Sequence, residues 1–496
     1  MNLSDPILRH GRMRPNAPAL IDGERVIGYG ALEDLVLRTA GHLAALGVEP
    51  GDQVGLCLKD DWQQVVGLLA VLRLGATAVQ MDWRSRPAEK ARIATAFALK
   101  LTLTLPESDI AAPSRCVALD AAWQNAVATA DAFTGAAQHR DAPAAVLASS
   151  GTTGLPKFTL ATHMQLYLHA IAYLEIVPAT RQRFLLTLPH YFSAGRLVCL
   201  AHLMRGDTLI LHPSLFTAAE YVRAVNRHKA TAGFIVPSVV RQLFAIAEPD
   251  KPLFPDLEVL ICGGAPLFPD EKREALRKLT PRFHEMYGAA AIGPMSALRP
   301  QDLIERPTSV GQPFLLVEVE AVDDDERPLG PDIPGRLRCR GLGLTTPIAG
   351  IGEAPSAGDF RDGWHYPGEI AAIDEHGYVH LHGRSSEVIF RGGAKIFPAE
   401  VEAALQAHEA VAEAAVVGRE ESDKQQTLIA YVVTRRAVAA GELIAHCRTR
   451  LTAFKVPQQI RIVSELPRNS SGKLDKRALL AEPGPTAHVA RTARDR

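Results

Sequence analysis

The sequence predicts a multi-domain α/β protein: mainly parallel sheets covered by helices, then a short antiparallel section, then a compact α+β unit. Three observations carry this. The chain has 496 residues, 47% of them hydrophobic, too long for one ordinary domain and enough for more than one core. Short apolar runs alternate with helical runs through most of its length. The texture then changes from about Phe314 and starts afresh near Gly383.

Taken in order, Leu32, Leu35, Val36, Ala40, Leu43 and Leu46 recur at helical spacing, and Val54 to Leu58 follows Gly51-Asp52 as a short strand. A second helix spans about Trp62 to Leu74, and helical Pro87 to Ala98 precedes extended Leu101 to Leu105. The apolar run Ala144 to Ala148 and the segment Phe158 to Leu160 flank a polar loop. A capping box, Thr162 with Gln165, then opens a helix carrying Leu166, Leu168, Ile171 and Leu174. Leu185 to Leu188, Leu209 to Leu211, Phe234 to Val236 and Val259 to Ile261 look like buried strands, and their alternation with helices implies parallel sheets. Val317 to Val322 alternates with period two, Asp323 to Arg327 makes a charged turn, and Gly335 to Arg340 alternates again, as in a small barrel or meander. Finally, Pro398 to Ala407 is a helix with proline in its first turn, followed by strands Ala414 to Val417 and Leu428 to Val433, a helix Gly441 to Leu451 and a strand Ile460 to Val463. The expected domains are residues 1–384 and 385–482, with 483–496 a disordered basic tail.

Charge and cysteine content narrow the chemistry. Lys+Arg is 54 against Asp+Glu 55, and a net charge of -1 gives no general attraction to nucleic acid or an anionic membrane. The six cysteines are scattered without a CxxC pair, so neither a disulfide framework nor a zinc site is expected. Met1 to Arg14 lacks an apolar core and no window has the length of a membrane span, so a soluble cytoplasmic enzyme acting on small molecules is expected.

The loop Ser149-Ser150-Gly151-Thr152-Thr153-Gly154-Leu155-Pro156-Lys157 points to phosphate chemistry. Glycines bring backbone N–H groups close to an anion, hydroxyls add donors, and Lys157 supplies a mobile cation. It is not a Walker A loop, since Phe158 follows the lysine where Ser or Thr is needed.

This loop, Pro189 to Gly195, Gly263-Gly264-Ala265-Pro266, Tyr287-Gly288, Gly363-Trp364-His365-Tyr366-Pro367-Gly368, Gly383-Arg384 and Ser471-Gly472-Lys473 together resemble, in order, the adenylate-forming acyl/aryl-CoA synthetase superfamily. The resemblance covers nearly the whole chain. It implies a large N-terminal part with two α/β subdomains and a small β-barrel, and a small mobile α+β C-terminal domain that rotates between two half-reactions. The implied chemistry is attack of a carboxylate on ATP to give an acyl-adenylate and pyrophosphate, then transfer to a thiol of coenzyme A or a carrier-protein phosphopantetheine.

Site roles follow from the resemblance residue by residue. Ser150, Gly151, Thr152, Thr153, Gly154 and Lys157 match the loop that neutralises the β and γ phosphates, and Gly263, Gly264, Ala265 and Pro266 the segment against which adenine packs. Tyr287 and Gly288 complete the nucleotide site. Glu369 stands where the family has a ribose-gripping aspartate, and a carboxylate can accept both hydroxyls of a diol. Arg384 matches the arginine reaching toward ribose or phosphates. Lys473 matches the cation bridging carboxylate and α-phosphate during adenylation, and Gly392-Gly393 the thiol tunnel. Tyr191, Phe192, Ser193, Phe234, Gly264 and Ala289 match the acyl pocket, whose apolar and aromatic character suggests an aromatic or modestly hydrophobic acid. Core packing is an equal role for Tyr191 and Phe192.

Four positions depart from the pattern. Ala290 and Ala291 replace a Thr and a Glu, the latter the usual ligand of Mg²⁺ on the triphosphate; Phe158 replaces a glycine; Ser386 replaces an acidic hinge residue. Three functions therefore stay open: an ATP-dependent acid–thiol ligase with weakened metal ligation, a transferase moving an activated acyl group from CoA to an acyl carrier protein, and a homologue that binds ligand without turnover.

Overall fold

The computed structural model describes residues 2–107, 114–135, 139–149, 157–248, 251–348, 359–391, 394–420, 426–468, 474–481 and 490–491. It divides into two compact units, one of residues 1–319 with 339–365, the other of 320–338 with 366–496.

Two large sheets organise the first unit. In the nine-stranded sheet the central strands Val259–Gly263, Ala232–Ile235, Arg183–Leu186, Thr208–Leu211 and Pro18–Asp22 run parallel in that order. Phe283–Ala289 adds parallel to Val259–Gly263, and antiparallel strands Gly293–Leu298 and Arg25–Gly28 continue the two ends. The seven-stranded sheet has a parallel core of Pro143–Ser149, Thr77–Gln80, Gln53–Cys57, Leu101–Thr104 and Arg115–Ala118, extended antiparallel by Lys157–Thr162 and Thr346–Ile348. Central parallel strands are buried on both faces, which is why they read in sequence as unbroken apolar runs. One apolar core joins strands of both sheets to the covering helices, among them Leu56, Leu68, Ala145, Phe184, Leu203 and Ile261.

Expected elements recur with shifted ends. The helix Trp62–Leu74 has the expected bounds, with Asp61 capping it through the N–H groups of Gln63 and Gln64 and Gly75 closing it at φ +84. The Thr162–Gln165 capping box is formed in both directions, Gln165 N–H to Thr162 Oγ1 at 3.2 Å and Thr162 N–H to Gln165 Oε1 at 2.8 Å. Phe158 is buried, its ring edge-on to Phe97 with centroids 5.0 Å apart. This departure from glycine therefore serves packing of the seven-stranded sheet.

In the second unit, Gly335 and Arg336 pair with Ile370 and Ala371 of Glu369–Ile373, which pairs antiparallel with Val379–Arg384. A separate apolar cluster holds Val401, Leu405, Val416, Ala430, Leu443 and Ile460, from helices Pro398–Gln406 and Ala440–Arg448 and strands Val411–Glu420, Gln426–Thr434 and Gln459–Ile462. Within the expected tail, Ala490–Arg491 pairs antiparallel with Gln459–Ile462, and the remainder lies outside the described residues.

Candidate active site

The strands Val259–Gly263 and Phe283–Ala289 end side by side, with Gly263 opposite Met286. A Cβ on Gly263 would stand 2.6 Å from the Met286 carbonyl oxygen and 3.0 Å from Phe234 Cζ, so a side chain there would force the strands apart. The chain then turns at Gly264, φ +91, a conformation that favours glycine, and Gly264, Ala265 and Pro266 emerge exposed beyond the strand end. Phe234, on the neighbouring strand, is buried behind this turn. A flat exposed turn at the C-terminal edge of parallel strands suits an aromatic ring, and such edges are where open α/β sheets bind ligands.

Tyr287, Gly288 and Ala289 close the next strand and enter a hairpin to Gly293–Leu298, with a register shift between Tyr287 and Gly288. Gly288 packs so tightly on Gly293 that a Cβ would lie 2.5 Å from the Gly293 oxygen. Ala290 and Ala291 form the turn. Ala291 is buried, and its carbonyl accepts two bonds from Thr345, the N–H and the hydroxyl, each at 2.8 Å. Neither alanine side chain carries an oxygen for Mg²⁺, and the Ala291 carbonyl is already engaged. The turn therefore does not fit the metal the family implies, and no step here is routed through a protein-held magnesium.

The stretch Pro189 to Gly195 leads from Arg183–Leu186 into helix Ser193–Arg205. Arg84, tied to Asp82 at 3.0 Å, donates to the Tyr191 hydroxyl at 2.9 Å, and burial first, then Asp82, raises the Tyr191 pKa. The Tyr191 and Phe192 rings lie 4.4 Å apart. Gly195 faces the Pro189 oxygen with no room for a Cβ, which would sit 2.1 Å away. Ser193 and Arg196 share one helical turn, and Arg196 donates to Gln80 at 2.8 Å. Sequence reasoning passed over Arg84, Gln80 and Arg196. For Arg196 the available signal was an arginine directly after Gly195, followed by the apolar run Leu197 to Ala201 of the same helix.

Glu369 and Arg384 belong to the second unit and are direct cross-strand partners, with Arg384 Nη2 3.6 Å from Glu369 Oε1. The Glu369 side chain is 14% exposed and that of Arg384 34%, so the carboxylate is largely withdrawn from water while the guanidinium stays partly solvated. Close by in sequence, Ser385 donates its N–H and its hydroxyl to the Gly368 carbonyl at 2.8 and 3.0 Å. Ser386 sits in a short 3-10 turn, Ser385–Glu387. Lys476 reaches Glu387 at 2.7 Å and Glu402 at 2.8 Å. Burial works against its ammonium, but the two carboxylates outweigh it and hold the Lys476 pKa above its ordinary value.

Ser150, Gly151, Thr152, Thr153, Gly154, Gly392, Gly393 and Lys473 lie outside the described residues. Lys157 opens the strand Lys157–Thr162, and Gly392-Gly393 falls between the paired strands Ile389–Arg391 and Ala394–Ile396.

The family model for AMP-binding enzymes matches residues 7–347, and the model for the AMP-binding enzyme C-terminal domain matches residues 400–473. The chain belongs to the AMP-binding enzyme family. It is 28% identical to 2-succinylbenzoate–CoA ligase of Bacillus licheniformis, over 95% of this chain and 98% of the relative. It is 30% identical to a feruloyl-CoA synthase of an Amycolatopsis species, over 95% of this chain and 96% of the relative. Among solved structures it resembles o-succinylbenzoate CoA synthetase from Bacillus subtilis bound to its acyl-adenylate, with TM-score 0.86, 25% identity, and coverage of 96% of this chain and 97% of that one. The same enzyme with ATP and magnesium ion aligns with TM-score 0.86 at 26% identity, over 96% and 99% of the two chains. No helix among the described residues is long and apolar enough to cross a membrane.

Proposed function

We propose that this chain is an acid–thiol ligase: it activates an aromatic or modestly hydrophobic carboxylic acid with ATP to an acyl-adenylate and passes the acyl group to coenzyme A. The observation that carries the reading is the juxtaposition of the Gly263-Gly264-Ala265-Pro266 turn with Tyr287-Gly288-Ala289 on adjacent strand ends, with buried Phe234 behind them. An adenine ring on the exposed turn would leave the acyl group directed toward Ala289, Tyr191, Phe192 and Ser193. Attack of a carboxylate on the α-phosphorus brings two anions together, so cations must offset the developing charge. Lys157 and Lys473 take that role in this proposal, Glu369 accepts the ribose hydroxyls, and Arg384 orients Glu369 and the phosphates. Residues 385–482 act as a mobile lid, turning at Ser385-Ser386 to present Lys473 for adenylation and Gly392-Gly393 for thiol attack. Magnesium is held mainly by the nucleotide phosphates, because Ala290 and Ala291 offer it nothing. A cytoplasmic location, where ATP and CoA are both at hand, goes with this reading.

Ala290 and Ala291 also favour a second reading, transfer of a pre-activated acyl group from CoA to a carrier-protein phosphopantetheine with little use of ATP. The two separate in one assay set: pyrophosphate release on adding ATP and a panel of acids identifies the ligase, whereas acyl transfer from CoA without ATP identifies the transferase. Neither activity with any acid, together with retained nucleotide binding, would mark a non-catalytic homologue and sink both.

A further inference from the structure

Helix Ser193–Arg205 carries Arg196 in its first turn, 2% exposed. The side chain reaches the last residue of strand Thr77–Gln80: Nη1 donates to Gln80 Oε1 at 2.8 Å, and Nη2 lies 3.5 Å from Ser193 Oγ. Both acceptors are neutral. A guanidinium carries five N–H donors and keeps its proton at neutral pH. Burial draws Arg196 down only to about 10, which leaves it a cation. Among the described residues no carboxylate pairs with it, and the buried Gln80 Nε2 has no hydrogen-bond partner. Among the described residues, the Arg196 charge therefore stands without a counter-ion, and the Gln80 amide beside it has a donor nitrogen without an acceptor.

Several other buried or largely buried cations in the same chain have a carboxylate partner, whereas buried Lys90, like Arg196, bonds a neutral acceptor, the Trp83 carbonyl. Lys272 is paired with Glu285 at 2.6 Å, Arg205 with Asp207 at 2.6 Å, and Lys476 with Glu387 and Glu402. A buried ion without a counter-ion is costly, so its retention asks for a compensating anion from elsewhere. His169 does not supply one, since an imidazole is neutral or cationic: burial, opposed by its bond to the Gly343 carbonyl and joined by the Arg196 charge, lowers its pKa to about 4, so the ring is neutral.

The location indicates what that anion belongs to. Gln80 ends a parallel strand beside Pro143–Ser149, which runs on into the hydroxyl- and glycine-rich loop, and Arg196 follows Gly195, the last residue of the acyl stretch. Arg196 thus sits at the C-terminal edge of the seven-stranded sheet, the edge used for ligands.

We propose that Arg196, with Gln80 Nε2 beside it, receives a second carboxylate on the acid substrate, so that the preferred acid is dicarboxylic: one carboxylate is activated and the other pairs with Arg196. This rests on the ligase reading and names its substrate class. Out of water a bidentate arginine–carboxylate pair is strong and geometrically selective.

The test measures binding by calorimetry, on the full chain without ATP, of aromatic and aliphatic dicarboxylic acids, each paired with its monoamide, alongside pyrophosphate release with ATP. The wild type should prefer a diacid over its monoamide by roughly 10- to 100-fold, the span of a charge-assisted hydrogen bond or two. Arg196→Leu should shrink that ratio to within a few-fold, and Arg196→Lys should keep part of it. Equal binding of diacid and monoamide by wild type overturns the proposal and needs no variant, so a misfolded mutant cannot shelter it. It is equally overturned if Arg196→Leu weakens ATP and all acids alike, which would make Arg196 a nucleotide or scaffold group. Absence of pyrophosphate with any acid would remove the ligase reading, while the calorimetric preference would still decide the role of Arg196.

Discussion

Ala291→Glu combined with Ala290→Thr returns to the hairpin turn the two side chains that the family pattern carries. Ala291 is 6% exposed and its carbonyl is fixed by two 2.8 Å bonds from Thr345, so the new side chain would leave from a pinned backbone. Glu285 on the same hairpin shows what a carboxylate meets in this neighbourhood: burial raises its pKa, and Lys272 at 2.6 Å partly offsets this. Without metal, a carboxyl at 291 should cost about 1–3 kcal/mol of stability, the range for a polar group buried without full compensation. ATP and magnesium added together should return that loss, since a ligand at 100 times its Kd stabilises by about 2.7 kcal/mol. The adenylation rate should rise by something approaching the roughly 10²- to 10³-fold attributed to one well-placed electrostatic group. Thermal unfolding with and without magnesium–ATP, and acid-dependent pyrophosphate release, measure both effects. The reasoning is refuted if magnesium–ATP protects wild type and double mutant equally and the rate does not move. A weakened but living ligase is excluded if neither protein releases pyrophosphate with any acid while acyl transfer from CoA proceeds without ATP.

Lys473→Ala should abolish acid-dependent pyrophosphate formation while nucleotide affinity stays within a few-fold, because the lysine acts on the transition state; wild-type adenylation in the mutant would remove this role. Ser386→Pro should impair one half-reaction more than the other, and equal loss of both, or none, counts against a turning point there. Lys272→Met leaves Glu285 buried without its base and should cost about 3–5 kcal/mol in urea unfolding; a loss under about 1 kcal/mol would mean water already reaches the pair. The pH dependence of stability has a definite sign: burial lowers His163 and His169 to about 4 from 6.5, so the unfolded chain binds protons that the folded one refuses between those values. Stability should therefore fall as pH drops from 6.5 toward 4, by up to about 3 kcal/mol per histidine. Asp61, raised by burial to about 6, opposes this in part, and His169→Gln should flatten the urea midpoint against pH; an unchanged profile would show the ring is solvated.

Local chemistry determined what the sequence could reveal by itself. A buried parallel strand must be apolar on both faces, so Val259 to Ile261 and Leu209 to Leu211 were legible without any partner in view. The Thr162–Gln165 box and the Trp62–Leu74 helix were legible because caps and helical spacing are contained within a few residues. The ordered Gly-rich motifs identified the family because close backbone approach needs glycine at fixed places, as Gly263 and Gly288 show with 2.6 and 2.5 Å left for a Cβ.

Tertiary structure decided whatever depends on residues far apart along the chain. In the sequence Phe158 is only a departure from the family's glycine; in the fold its ring packs edge-on against Phe97, 61 positions away. The cross-strand meeting of Glu369 with Arg384 came from sheet register, and the ion triad of Lys476 from the packing of its helix against Glu387 and Glu402. Arg196 is the clearest case. In the sequence it is one arginine in a helix; in the fold, 116 positions separate it from Gln80, the hydrogen-bonded neighbour that makes its missing counter-ion visible. Composition cannot report an unpaired buried charge, because pairing is a property of distance in space.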